Sequence, residues 1–187
     1  MSNNVSPEPS DSGWRQGYRA RPRWQRWGIE LLLAFLVVTL LSQWLSRHLL
    51  DRNTPFPALT LTRLDGQPVL LPDATQAPKT TLVYLFAPWC SVCRVSMPAL
   101  KWLDSDDIRI IAIALDWRNK SEVANMVQSV HYAGTTLLGD AETARQLNIR
   151  GYPSYYVIDQ HGNIRFADQG LSTLPGLWLR TRLANQE

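Results

Sequence analysis

The chain has 187 residues, 45% of them hydrophobic and 19% charged, which suits one ordinary domain plus a further segment, and its two cysteines are too few for a disulfide-rich scaffold. The formal net charge of +3 arises in residues 1–50, with six arginines and three acidic residues, whereas residues 51–187 carry thirteen basic and thirteen acidic side chains. The basic pI therefore gives no support for nucleic-acid binding by the domain, and we expect no nucleic-acid partner.

Residues 1–26 are predicted to form a disordered, basic cytoplasmic arm. Residues 1–13 are mostly Ser, Asn, Pro and acidic residues, which offer little apolar surface to bury. Residues 14–27 then interleave arginines with Trp and Tyr, a composition typical of the lipid headgroup zone.

Residues 27–50 are predicted to form a transmembrane signal anchor. The apolar centre, Leu31–Leu41, is short, but Trp27 and Trp44 suit the two interfaces and Arg47 can extend its charge outward, so a span of about 20 residues is feasible. The arginines concentrate on the N-terminal side, which keeps the N-terminus in the cytoplasm and sends the rest across. A cleaved signal peptide is the alternative, but no small-x-small cleavage site follows the apolar centre.

A polar linker at 51–55 leads into a folded domain at 56–187. Asp65-Gly66 predicts a hairpin turn, Pro98 is expected to kink the helix that contains it, and Ser121 is the predicted N-cap of the next helix. The predicted order is strands at 59–62 and 69–71, a loop at 73–79, a strand at 80–86, a helix from about 90, a strand at 108–115, a helix from 121, a strand at 135–138, a helix at 141–147, strands at 155–158 and 164–167, and a helix at 173–183. This order predicts an α/β fold with a central mixed sheet flanked by helices.

The chain's two cysteines, Cys90 and Cys93, are separated by two residues and lie where the strand predicted at 80–86 gives way to a helical pattern. The N-terminus of a helix favours an anion, so we expect the pKa of the Cys90 thiol to be lowered and Cys90 to act as the nucleophile. Cys93, one turn later, is placed to attack back and close a disulfide. A Cys-x-x-Cys pair near a βαβ pattern indicates a redox motif.

Two other interpretations compete with redox chemistry. A zinc half-site would need four ligands, and His48, His131 and His161 are not paired at ligand spacing, so we expect no metal and no cofactor. A structural disulfide is the second, but a loop this short removes little entropy from the unfolded chain.

Pro153 forms a second motif because it stands at the start of a predicted strand. A proline has no N–H to give to the sheet, so an ordinary trans proline fits this position. The alternative is a cis proline, which would turn the backbone of the preceding residue toward a ligand.

Three segments together resemble thioredoxin-fold proteins: Trp89-Cys90-Ser91-Val92-Cys93-Arg94, Gly151-Tyr152-Pro153 and Asp159-Gln160-His161-Gly162. The leading hairpin, Met97-Pro98 and the N-terminal anchor make the chain similar to the membrane-anchored periplasmic TlpA/ResA/DsbE group, and most similar to its suppressor-of-copper-sensitivity D (ScsD) type. The resemblance implies a thioredoxin fold for 56–187, with a cis Pro153 packed against the Cys90–Cys93 redox disulfide. It also implies that the Tyr152 backbone pairs with the substrate chain and that Trp89 shields the disulfide and contacts partners.

Two positions depart from the pattern of the group. Tyr84 stands six residues before Cys90, where thioredoxins carry a buried Asp, and Ser154 follows the proline, where DsbE-type proteins carry a Glu. The sequence therefore names no proton acceptor for Cys93.

The predicted function is that of a monomeric thiol–disulfide oxidoreductase, a reductase of protein disulfides, anchored by a single pass in the bacterial inner membrane. Its catalytic domain would face the periplasm, and the resemblance implies a DsbD-like membrane electron donor. The alternative is a copper-handling or metalloprotein-assembly module, in which the thiolates bind Cu(I) or keep copper-site thiols reduced. An isomerase would require a dimerisation segment, and we see none beyond the anchor.

Overall fold

The computed structural model describes residues 23–72, 79–103 and 105–184. Most of the predicted arm (1–26) and of the predicted loop (73–79) lies outside these residues. The chain divides between Leu41 and Ser42 into two compact units.

The first described element is helix α1 (Arg23–Ser46). It starts four residues before the start of the predicted anchor at 27–50, and it ends four residues before the end of that anchor. Its end has a structural cause in the second unit, because Leu49 is buried in the core and the backbone N–H of Leu50 donates to the hydroxyl of Tyr156 at 3.2 Å. Within the described residues, no helix is both long enough and apolar enough to cross a membrane.

The second unit contains a seven-stranded mixed sheet in the order β2-β1-β5-β4-β3-β6-β7, which confirms the predicted α/β fold. Strands β3, β4 and β5 are parallel to one another, and the other pairs are antiparallel. The strands are β1 (Leu59–Arg63), β2 (Pro68–Leu71), β3 (Thr80–Phe86), β4 (Ile108–Ala114), β5 (Thr135–Leu138), β6 (Ser154–Ile158) and β7 (Ile164–Gln169). The helices are α2 (Ser91–Ser96), a 3-10 helix (Met97–Trp102), α3 (Lys120–Ser129), α4 (Ala141–Gln146) and α5 (Leu174–Ala184).

The core has two layers because alternate residues of a strand point to opposite faces of the sheet. On β3, Leu82, Tyr84 and Phe86 belong to one buried cluster, together with Cys93 and Met97. The intervening Val83 and Leu85 belong to the other cluster, which also contains Leu49, Phe56 and Tyr156. Both faces of the central strands are therefore covered, as parallel strands require.

The predicted N-cap of α3 is wrong. Asn119, rather than Ser121, has the extended backbone of an N-cap, and its Oδ1 accepts the N–H of Glu122 at 3.0 Å. Ser121 lies within the first turn, and its hydroxyl donates to the same Asn119 oxygen. Asn and Ser cap helices about equally well, so their order along the chain could not decide between them.

Pro98 ends the α-helical geometry rather than kinking a continuous helix. Helix α2 ends at Ser96, and Pro98 is the second residue of the 3-10 helix. A proline in the interior of an α-helix removes one hydrogen bond and clashes with the preceding turn, but it is tolerated near a helix start.

Candidate active site

The cysteine pair lies at the junction between β3 and α2. Cys90 is the N-cap of α2, with φ −74° and ψ 109°, and its N–H donates to the carbonyl of Ala87 at 3.0 Å. Cys90 and Cys93 are joined by a disulfide, with their Cα atoms 5.3 Å apart. The order of the elements thus places both sulfurs at the carboxyl edge of the central parallel strand.

The two cysteines differ in their access to solvent and in their hydrogen bonding. Cys90 retains 5% exposure, whereas Cys93 is fully buried. The backbone N–H of Cys93 donates to Sγ of Cys90 at 3.0 Å. A donor aimed at a sulfur stabilises negative charge there, which favours Cys90 as the reactive atom.

Trp89 forms the exposed rim of the site. Its side chain is 64% exposed, although its indole N–H is fixed by the Asp116 carboxylate at 3.0 Å and by the carbonyl of the same residue at 3.2 Å. Its ring meets Tyr152 edge to face, with the centroids 5.7 Å apart. These contacts hold a large apolar face beside the disulfide, open to a partner.

Asp116 belongs to the site, although it is not among the predicted site residues. It lies two residues after the end of β4 and has a left-handed φ of 50°, which Asp tolerates better than most residues. The sequence feature that could have found it is its position beyond the carboxyl end of a parallel strand, where α/β proteins place functional side chains.

The loop before β6 provides the third wall. The Tyr152–Pro153 peptide bond is cis, and the carbonyl of Pro153 accepts the N–H of Gly170 at 2.7 Å. Ser154, the residue after the proline, donates its hydroxyl to the carbonyl of Gly151 at 2.8 Å. Burial, with a smaller contribution from the Asp116 carboxylate, raises the pKa of Tyr152 to about 12. Tyr152 is therefore a neutral side chain at the rim.

Tyr84 lies beneath α2, the helix that carries the cysteines. It occupies the position, six residues before Cys90, at which thioredoxins carry a buried Asp. Its hydroxyl lies 2.7 Å from Oγ of Ser96, and its ring stacks on those of Phe86 and Tyr155. Burial raises the pKa of Tyr84 to about 12, although the Ser96 hydrogen bond opposes the shift. The group below the helix is thus an uncharged phenol at physiological pH.

A groove of about 630 Å³ runs along the outer side of Trp89. Its walls come from the cysteine turn, the β4–α3 loop and α3, and they include Pro88, Arg94, Arg118 and Met126. Over the described ranges, no cluster of three or more His, Cys, Asp or Glu side chains has the arrangement of a metal site.

Comparison with known proteins agrees with this geometry. The Redoxin family model matches residues 51–175. A thioredoxin-like protein of Haemophilus influenzae is 27% identical, over 82% of this chain and 90% of its own length. The thiol:disulfide interchange protein DsbE of Pseudomonas aeruginosa is 29% identical, over 59% of this chain and 62% of its own length.

The structural comparison supports the same fold. The crystal structure of a putative thiol:disulfide interchange protein DsbE from Chlorobium tepidum superimposes with a TM-score of 0.63 at 21% identity, over 72% of this chain and 98% of that one. The fold, the family match and the Cys90–Cys93 disulfide all indicate the same class of protein. The chain therefore belongs to the redoxin family, as a thioredoxin-like thiol–disulfide oxidoreductase of the TlpA/ResA/DsbE group.

Proposed function

We propose that this protein reduces disulfide bonds of protein substrates in the bacterial periplasm, with Cys90 as the nucleophile and Cys93 as the resolving thiol. One observation carries the assignment of these roles. Cys90 is the N-cap of α2 and accepts the Cys93 N–H at 3.0 Å, whereas Cys93 is wholly buried. A substrate sulfur therefore reaches Cys90 first.

The reaction proceeds in two exchanges. The reduced Cys90 thiolate attacks one sulfur of the substrate disulfide, and the other substrate sulfur leaves as a thiolate. Cys93 then loses its proton and attacks Sγ of Cys90, which releases the second substrate thiolate. Two electrons have passed to the substrate, and the Cys90–Cys93 disulfide remains.

Substrate binding is proposed to use Trp89, Tyr152 and Pro153. The exposed Trp89 ring and the edge-to-face Tyr152 ring offer an apolar wall beside the disulfide. The backbone of Tyr152, next to the cis proline, is proposed to pair with an extended substrate segment as an added strand does. Pairing through the backbone accepts many sequences, which suits a reductase of varied protein disulfides.

Attachment to the inner membrane completes the proposal, with the N-terminus in the cytoplasm. It rests on the apolar run at 31–41, the arginines ahead of it and the exposed leucines of α1. A disulfide in the periplasm is not reduced by the cytosolic thiol pool, so a reductase there needs its own electron source. We propose a DsbD-like membrane donor.

Trapping the mixed disulfide tests the assignment of the cysteines. The full-length Cys93→Ser variant is expressed, and the membranes that contain it are analysed. We expect them to hold substrate adducts that are linked through Cys90 and that a reductant releases. The Cys90→Ser/Cys93→Ser variant is the matched control and should form none. If Cys93→Ser yields no more adducts than this control, the proposed nucleophile is wrong.

The direction of electron flow needs a separate measurement. Equilibration of the full chain with glutathione redox buffers gives the reduction potential of the pair. A potential of about −270 mV would fit a reductase, and one of about −120 mV would identify an oxidant and overturn the proposed direction.

The ScsD type and the copper-handling alternative stay predictions from the sequence. Titration of the reduced full chain with Cu(I), compared with Cys90→Ala, tests direct copper handling. Binding that depends on Cys90 would support it, and equal binding by both proteins would exclude a role for the thiol pair in holding copper.

A further inference from the structure

A second concave site lies away from the cysteines, at the start of the second unit. It is a shallow pocket of about 460 Å³ between the end of α1, the residue before the Gly151-Tyr152-Pro153 loop and the end of β7. The side chains that line it are those of Trp44, Arg47, His48, Arg150 and Gln169. We call it the basic pocket.

Within the described residues, no carboxylate is paired with the two arginines of the basic pocket. Neither Arg47 nor Arg150 forms an ion pair with any carboxylate in the part of the chain that the structure describes, and no acidic side chain is among the described residues lining the pocket. Arginines elsewhere do find such partners, as Arg180 does with Asp168 at 2.7 Å. Two guanidinium groups facing one cavity attract an anion, and their planar forks suit phosphate or carboxylate.

The walls of the basic pocket are fixed by hydrogen bonds. The hydroxyl of Ser46 donates to Oδ1 of Asp168 at 2.8 Å and accepts the backbone N–H of Gln169 at 3.2 Å, so the last residue of α1 is tied to β7. The Arg47 guanidinium lies over the Trp44 ring, 5.8 Å from its centroid. The segment that carries Arg47 is thus held against β7 before any ligand arrives.

Gln169 adds a side-chain amide to the wall of the pocket. Its side-chain oxygen is buried and has no hydrogen-bond partner among the described residues. A buried amide oxygen normally accepts a hydrogen bond, and a ligand hydroxyl can donate one. Gln169 lines the pocket beside Arg47 and Arg150, so a rotation of its side chain would present this acceptor, which solvent does not reach in this structure, to a ligand hydroxyl.

An exposed aromatic side chain in the wall of the pocket favours a lipid over a soluble anion. Trp44 is 61% exposed, and in the sequence it follows the apolar run at 31–41 by three residues. An exposed indole that closely follows an apolar run suits the boundary between headgroups and acyl chains. A soluble phosphate would gain nothing from this side chain.

We propose that the basic pocket binds the headgroup of an anionic phospholipid, with the phosphodiester at Arg47 and Arg150 and a headgroup hydroxyl at Gln169. Phosphatidylglycerol has both features. The proposal is independent of the thiol chemistry and shares with the proposed function only the nearness of a membrane.

The test measures lipid binding by the full chain in detergent. Short-chain phosphatidylglycerol is titrated by calorimetry into the natural sequence, into Arg47→Gln/Arg150→Gln and into Arg118→Gln/Arg145→Gln. The last variant removes the same charge from arginines that are paired with Glu122 and Glu142 outside the pocket. Gln169 is left unchanged because its amide packs against Gly151, beside the active-site loop.

We expect the pocket variant to bind at least about tenfold more weakly and the control variant to bind within about twofold of the natural sequence, because only the pocket variant loses the charge-assisted hydrogen bonds to the phosphodiester. Phosphatidylcholine of the same chain length should bind at least about tenfold more weakly than phosphatidylglycerol to the natural sequence, since it lacks the net charge and the hydroxyls. Equal weakening of both variants, or equal binding of the two lipids, would overturn the proposal.

Two further measurements are needed. One distinguishes a lipid phosphate from a soluble phosphate, and the other distinguishes the lipid proposal from the proposed thiol chemistry. Glycerol phosphate that binds as tightly as the lipid would show a site for a soluble anion and overturn the lipid assignment. Cys90→Ser/Cys93→Ser should bind phosphatidylglycerol as the natural sequence does. The lipid-binding test and the test that traps disulfides through Cys90 can therefore fail independently of each other.

Discussion

The hydroxyl of Tyr84 lies 2.7 Å from Oγ of Ser96, which joins the central strand β3 to the helix that carries both cysteines. Ser96 is three residues after Cys93, and its Oγ also donates to the carbonyl of Val92 at 3.0 Å. The link is neutral, because burial raises the pKa of Tyr84 to about 12. Tyr84 therefore positions the helix and does not accept the Cys93 proton at physiological pH.

The first prediction concerns the stability that this contact provides. Tyr84→Phe keeps the ring stacking on Phe86 and Tyr155 and removes only the hydroxyl, so the free energy of unfolding of the oxidised protein should fall by about 1 kcal/mol. Ser96→Ala removes the other partner and should cost a similar amount. Denaturant unfolding of both variants and of the double variant measures the coupling. Additive losses in the double variant would show that the two hydroxyls do not depend on each other.

The buried tyrosines give a second prediction, a loss of stability at high pH. The folded state holds the pKa of Tyr84 and of Tyr156 at about 12, against an ordinary value near 10, because both phenols are buried. Their contribution is complete below pH 10, where both states are protonated. Between pH 10 and 12 the folded protein binds more protons than the unfolded chain, so the free energy of unfolding falls as the pH rises.

The expected slope is about 1.4 kcal/mol per pH unit for each such tyrosine. Urea unfolding of the oxidised protein at pH 9, 10.5 and 11.5 measures it, and Tyr84→Phe should show a shallower fall. Tyrosinate absorbance provides an independent check in the folded state. If all the tyrosines titrate together near pH 10 in the folded protein, the prediction fails.

A third prediction concerns the hydrogen bond between Asp116 and the indole of Trp89. Asp116→Ala removes the carboxylate that fixes the ring, and kcat/KM for a protein disulfide should fall by about two- to tenfold, the equivalent of one hydrogen bond. Asp116→Asn keeps an oxygen acceptor and tolerates the left-handed backbone, so it should lose less.

The control for this prediction separates the position of the ring from general stability. In a Trp89→Phe background the indole N–H is absent, so Asp116→Ala should lower kcat/KM little further. An equal loss in both backgrounds would mean that Asp116 acts on the protein by another route. The free energy of unfolding is measured alongside, because alanine with a φ of 50° is itself unfavourable.

Much of the sheet could be predicted because its strands carry their own pattern. The strand predicted at 80–86 was found with those bounds, since a β-branched and aromatic run buried on both faces leaves few alternatives. The hairpin of β1 and β2 was also confirmed, with its turn at Asp65-Gly66. In both cases short-range chemistry decides the structure.

The contacts across the site could not be predicted in the same way. Asp116 meets Trp89 across 27 residues, and Tyr84 meets Ser96 through the packing of a helix on the sheet. Such contacts depend on how loops meet at the edge of the sheet, which periodicity does not encode. Leu49 likewise enters the core from a segment predicted to belong to the anchor, because the chain folds back onto Tyr156.

The fourth prediction tests the corrected cap of α3 with two neighbouring substitutions. Asn119→Ala removes the oxygen that accepts the Glu122 N–H at 3.0 Å, so the free energy of unfolding should fall by about 1 kcal/mol, the usual value for an N-cap. Ser121→Ala removes only a hydroxyl that donates to the same oxygen, and it should change stability by less than about 0.5 kcal/mol. Denaturant unfolding of the two variants under one set of conditions makes the comparison. A larger loss for Ser121→Ala than for Asn119→Ala would restore Ser121 as the cap.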